Sequence, residues 1–134
     1  GSEKVVYGTN GSRWSSANMP SSQSWSGLTY GNGTFLAIAS NGKAATSYNG
    51  YSWYSATLPS SANWSGPTYG DGKFLIVPYN GDKAAYSKDG RSWSWATLPS
   101  STFWESVTYG DGKFVTVALS SNKAAYSSAK GPGA

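Results

Sequence analysis

One segment recurs along the chain and limits the architectures open to it. Trp14, Trp53 and Trp93 stand 39 and 40 residues apart, and Trp25, Trp64 and Trp104 keep that spacing, as do Tyr30, Tyr69 and Tyr109. Lys4, Lys43, Lys83 and Lys123 follow at 39, 40 and 40. Read from Trp64, the unit is W-S-G-P-T-Y-G-D-G-K-F-L-I-V, then K-A-A-Y-S-K-D-G-R-S-W, then A-T-L-P-S-S. A unit of this size cannot bury its apolar face alone and must stack on its neighbour. A period near 40 residues made of short strands indicates propeller blades or a comparable array.

Each unit parses into four strands. The first runs from the Trp to the Tyr, as in Trp104 to Tyr109. Gly31-Asn32-Gly33, Gly70-Asp71-Gly72 and Gly110-Asp111-Gly112 then form tight turns, because Asn-Gly and Asp-Gly adopt the positive φ that two-residue hairpins demand. The second strand is Phe35–Ala39, Phe74–Val77 or Phe114–Ala118, and the third is K-A-A-x-S at 43–47, 83–87 and 123–127. Asn49-Gly50 and Asp89-Gly90 turn into a fourth strand that opens on Trp53 or Trp93 and is expected to end at Pro59 or Pro99. Gly, Pro, Asn and Ser come too often for a helix of three turns.

The expected domain spans 4–127: a half blade at 4–20, blades at 25–59 and 64–99, and a partial blade at 104–127 that closes with 4–20. Residues 1–3 and 128–134 read as a tag or frayed ends, with Gly1-Ser2 a cloning remnant. The partial blade lacks a fourth strand, which the N-terminal segment supplies. A third strand occurs at both ends, so one copy is redundant. Propellers have about four to eight blades. Three blade equivalents per chain therefore point to a homo-oligomer, a dimer of six blades with a shared closing blade and two-fold symmetry. The alternative is a monomeric β-trefoil, also built from three four-stranded units.

Tyr86 to Trp93, Y-S-K-D-G-R-S-W, resembles the Asp-box of sialidase-like β-propellers. Its partners are T-S-Y-N-G-Y-S-W from Thr46 to Trp53 and Y-G-T-N-G-S-R-W from Tyr7 to Trp14. All three are one residue shorter than the usual box between the acid and the Gly. The copy from Tyr7 to Trp14 lacks the Ser, and Asn replaces Asp in two. The whole unit is similar to repeats of bacterial and phage tail or adhesin proteins. The resemblance implies a propeller fold and is compatible with enzymes and binders alike.

Composition narrows the function. Cys and His are both absent, which excludes disulfides, thiolate or imidazole catalysis and Cys/His zinc sites. The sialidase resemblance implies an arginine triad on the substrate carboxylate, yet the only Arg are Arg13 and Arg91. Glycoside hydrolysis needs facing carboxylates. Asp71, Asp89 and Asp111 are taken up by turns and Glu3 lies at the end, leaving Asp82 and Glu105. These observations lead to an expectation of no enzyme activity, no catalytic residue, no cofactor and no metal. The net charge is +4 without a basic run, so no nucleic-acid partner is expected. Apolar runs are too short for membrane insertion. The absence of Cys is compatible with either side of the membrane, and the cell exterior or a virion surface is the expected location.

Aromatics make up 16% of the residues, a share that suits a β-rich fold and sugar recognition. Trp14, Trp53 and Trp93 are expected as wedges between sheets. Positions that vary between units are better candidates for a grafted site. They fall in the loop before the first strand and in the connection between second and third strands, which emerge on one face. Candidate ligand contacts are Trp25, Asn63, Trp64, Tyr79, Asn80, Phe103 and Trp104. Aromatic faces among amides and hydroxyls suit sugars, whose CH faces stack on rings. The functional expectation is a non-catalytic, lectin-like binding module of a phage tail or secreted adhesin. The alternative is a ligand-free, self-assembling structural or engineered scaffold.

Overall fold

The computed structural model describes residues 2–119 and 121–128. The tag reading of Gly1, the loop position Ser120 and the fraying expected of 129–134 lie outside the described residues. The architecture is all-β. A two-stranded sheet pairs β1 (Ser2–Tyr7) with β2 (Ser15–Gln23). A four-stranded sheet follows in the order β3 (Trp25–Gly31), β4 (Thr34–Ala39), β5 (Lys43–Ser47) and β6 (Tyr54–Thr57). The next holds β7 (Trp64–Gly70), β8 (Lys73–Pro78), β9 (Gly81–Ser87) and β10 (Ser94–Thr102). The last has three strands, β11 (Trp104–Gly110), β12 (Lys113–Ala118) and β13 (Ala124–Ser128). All pairings are antiparallel between consecutive strands. Each repeat thus makes its own meander sheet, whereas a trefoil would merge the three units into one barrel. The trefoil alternative is corrected accordingly.

The hairpin turns follow from the sequence. Asn32, Asp71 and Asp111 have φ of 49°, 49° and 50°, and the glycines after them 73°, 74° and 74°. Positive φ at both central residues is the two-residue turn whose twist matches a hairpin. Pro59 lies beyond β6 as expected, but Pro99 and Pro20 fall inside β10 and β2. Their strands are the outermost of their sheets, where a missing N–H costs no ladder bond. The register of β10 also shifts between Thr97 and Thr102, around Pro99.

The core lies between sheets. Leu36, Ile38, Ala44 and Leu58 of one four-stranded unit meet Trp64, Phe74, Ile76 and Ala85 of the next, with Trp93 packed against them. Val77 and Ala84 meet Trp104, Ala118 and Ala125 in the same way. Met19, Ala37 and Ala45 form a smaller cluster beneath Trp53, Trp25 and Val5. The innermost strands run side by side, β3 along β7 and β7 along β11. Two glycines set their approach. Tyr69 rests on Gly31 and Tyr109 on Gly70, so closely that a Cβ on either glycine would lie inside the ring.

The turns before the fourth strands are held by side chains. The Ser47 and Ser87 hydroxyls accept the N–H of Gly50 and Gly90, each at 2.8 Å. Asn49 Oδ1 accepts the N–H of Tyr51 at 3.0 Å and of Ser52 at 2.8 Å. Asp89 Oδ1 does the same for Arg91 at 2.8 Å and Ser92 at 2.9 Å. Those backbone bonds, first from Ser92 and then from Arg91, hold the Asp89 carboxyl below its usual pKa. A depressed folded value adds stability that is present above the unfolded pKa and lost as pH falls through the folded one. Asn49 makes the equivalent turn without a charge. Asp89→Asn should therefore keep the fold at pH 7 and lose less of its urea midpoint than the parent between about pH 5 and pH 2. Equal acid sensitivity in the two proteins would contradict this account of the turn.

Candidate ligand-binding site

The variable connections meet on one rim, and backbone hydrogen bonds show why. In each unit the residue following the second strand donates its N–H to the carbonyl just before the first-strand Trp. The bonds are Ser40 to Ser24 at 3.3 Å, Tyr79 to Asn63 at 2.8 Å and Leu119 to Phe103 at 2.7 Å. The repeat therefore brings the two loops together in every unit, and the residues at those positions distinguish one unit from another.

Tyr79 and Phe103 come from adjacent units and face one another, with ring centroids 5.4 Å apart and planes inclined by 51°. They are 39% and 44% exposed. Asn80 follows Tyr79 and is exposed, and exposed Asn63 is tied to Tyr79 through its carbonyl. An aromatic pair thus stands on the rim beside two amides. Tyr79 is positioned by the end of β8 at Pro78, and Phe103 by the break between β10 and β11.

The three tryptophans expected on this face are placed otherwise. Trp104 is 0% exposed and Trp64 is 6% exposed, both within the cores between sheets. Trp25 is half-buried against Met19, Ala37 and Ala45. Trp64 and Trp104 cover apolar neighbours and support the rim from below, while Trp25 borders a separate open hollow with Val5, Leu28 and Trp53. Of the seven candidate residues, Asn63, Tyr79, Asn80 and Phe103 form the exposed group. The position before the loop Trp carried the signal for Phe103. The burial of the Trp itself depends on the neighbouring sheet and has no local signature.

Two features had no counterpart in the sequence reading. An apolar cleft of about 210 Å³ opens between the second four-stranded sheet and the last sheet, lined by Leu75, Tyr86, Leu98, Phe114 and Tyr126 among others. Arg91 reaches back to the preceding unit, donating to the Ser55 carbonyl at 3.2 Å and to Thr46 Oγ1 at 3.0 Å. Trp95, on the outermost strand β10, lies 6.0 Å from Trp64 with half its surface free.

Successive antiparallel meanders, stacked face to face with their first strands innermost, define a β-propeller. Neither a protein-family model nor a curated protein sequence matches the chain. Among solved structures it is similar to virginiamycin B lyase from Staphylococcus aureus, with a TM-score of 0.81 at 16% identity. The match covers 95% of this chain and 46% of that one, so the chain spans about half the length of the lyase. The propeller part of the expected resemblance is shown, and the relative is a lyase rather than a sialidase or an adhesin. The expectation of no enzyme activity is corrected by the same finding. Its relative in fold is an enzyme, so the fold gives no ground for excluding catalysis. Likeness at this identity establishes the fold alone.

The burial pattern is checked by truncation. Trp104→Ala should cost about 3–5 kcal/mol, because the ring fills the junction of two sheets. Tyr79→Ala and Phe103→Ala should each cost no more than about 1.5 kcal/mol, the worth of one exposed ring pair. Urea unfolding of the three variants separates rim from core.

Proposed function

We propose that the protein is a carbohydrate-recognition propeller whose ligand lies on the Tyr79–Phe103 rim. The observation that carries this reading is the exposed ring pair with Asn63 and Asn80 beside it. A sugar ring stacks its CH face on one or both aromatics, and its hydroxyls exchange hydrogen bonds with the amides. The site is shallow and open, so a single contact binds at about the millimolar level. Avidity then comes from several sites on one assembly or from a repetitive glycan. A phage tail or secreted adhesin is the setting in which such weak, repeated recognition is useful.

The test is an oligosaccharide array followed by NMR titration with the best-bound glycan. Binding should weaken by about ten-fold or more in Phe103→Ala and Tyr79→Ala, while Tyr48→Ala, on a different exposed turn, binds as the parent does. Silence across the array would remove the carbohydrate reading and favour a ligand-free scaffold. Binding that survives both rim substitutions would move the site elsewhere.

A further inference from the structure

We infer that two copies of this chain close one ring by exchanging β2, and that Trp14 and Tyr30 of each copy fill sites on the other. The two ends of the arc carry the halves of a contact that the chain already makes twice internally. Tyr69 rests on Gly31, and Tyr109 rests on Gly70. The third tyrosine, Tyr30, is 54% exposed, and around a Cβ on the third glycine, Gly110, there is nothing within 4 Å among the described residues. Leu28, on the same strand as Tyr30, is also exposed. A half-exposed ring, packed on Phe35 of its own sheet, and an uncovered seat of the same repeat position stand at opposite ends of one molecule.

A second, independent pair lies on the outer strands. Trp53 and Trp93 are half-buried against the unit before their own. Trp14, their equivalent, is 59% exposed. The apolar cleft beside Leu75, Leu98 and Phe114 is where a fourth strand following β13 would set its Trp. Among the described residues the outer edge of β13 is unpaired, and its Tyr126 is 78% exposed. β2 of a second copy completes that sheet. The pairing of β5 with β6 and β9 with β10 gives the register: Tyr126 opposite Ser15, Ala125 opposite Ser16 and Ala124 opposite Ala17.

One of two redundant third strands must leave, and the structure indicates β1. It pairs with β2 alone and otherwise packs through Val5 and Tyr7, while β13 belongs to a three-stranded sheet. The turn at 8–14 already has Asn10 Oδ1 accepting the N–H of Ser12 and Arg13, each at 3.0 Å. It lacks the hydroxyl that Ser47 and Ser87 aim at the turn glycine, since the equivalent residue of its own strand is Gly8. In the exchanged sheet Ser127 of the other copy stands at that position and accepts the Gly11 N–H. Head-to-tail contact of this kind closes after two copies into six blades with two-fold symmetry.

The intact chain is tested by light scattering with two sets of variants. The parent should have twice the mass of a single 14.1 kDa chain. Gly110→Val fills the empty seat, so dimer dissociation should become about ten-fold easier or more, with an unchanged strand signal by circular dichroism. Trp14→Ala should act in the same direction. Because the chain has no Cys, S15C and Y126C provide a register-specific readout. The two single variants, mixed and oxidised, should give a cross-linked pair that neither gives as efficiently alone. A parent of single-chain mass overturns the proposal. So does a dimer that survives Gly110→Val undiminished and shows no cross-link between positions 15 and 126.

Discussion

The seat of a tyrosine ring on bare glycine backbone fixes how near neighbouring sheets stand. Tyr69 on Gly31 and Tyr109 on Gly70 leave no room for a Cβ between them. That approach brings β3, β7 and β11 side by side and splays the outer strands apart. The wedge that opens toward the outside is filled by large residues: Trp64 and Phe74 at one junction, Trp104 at the next, with Trp93 further out. Close inner strands and bulky outer wedges together bend a stack of sheets into an arc.

The same geometry assigns roles to residues that look alike in sequence. Three tryptophans at one repeat position differ in exposure according to whether a sheet stands before them. Trp104 has one and is sealed, while Trp25 faces the two-stranded sheet and is half-buried. Arg91 bridges to Thr46 and Ser55 because its turn abuts the preceding sheet, and Tyr51 at the equivalent place stacks on Tyr7 with centroids 5.1 Å apart. Repetition supplies the scaffold, and its exceptions supply chemistry. The Tyr79–Phe103 pair sits at two such exceptions.

Much of this was legible from residues alone. The Asn-Gly and Asp-Gly turns and the four-strand unit follow from local backbone preference and a fixed period, which depend on neighbours in sequence. Pro99 shows where local rules mislead. A proline ends an interior strand, yet β10 is an edge, and position within the sheet decides whether the lost N–H matters. The exposed loop positions are marked by their variation between units, whereas the burial of Trp64 and Trp104 beside them is not. A Trp after a polar loop gives no sign of which side its ring will turn to.

The sequence by itself determined a repeating all-β chain, its turns and the identity of the residues that vary between units. These are properties of the backbone within a few residues, and they survive without a partner. Only the tertiary structure decided which aromatic rings are covered, that Tyr79 meets Phe103 across two units, and that Gly110 and Tyr30 stand unmatched at opposite ends. Those outcomes depend on the angle and distance between sheets, which are fixed by packing among residues some 40 positions apart.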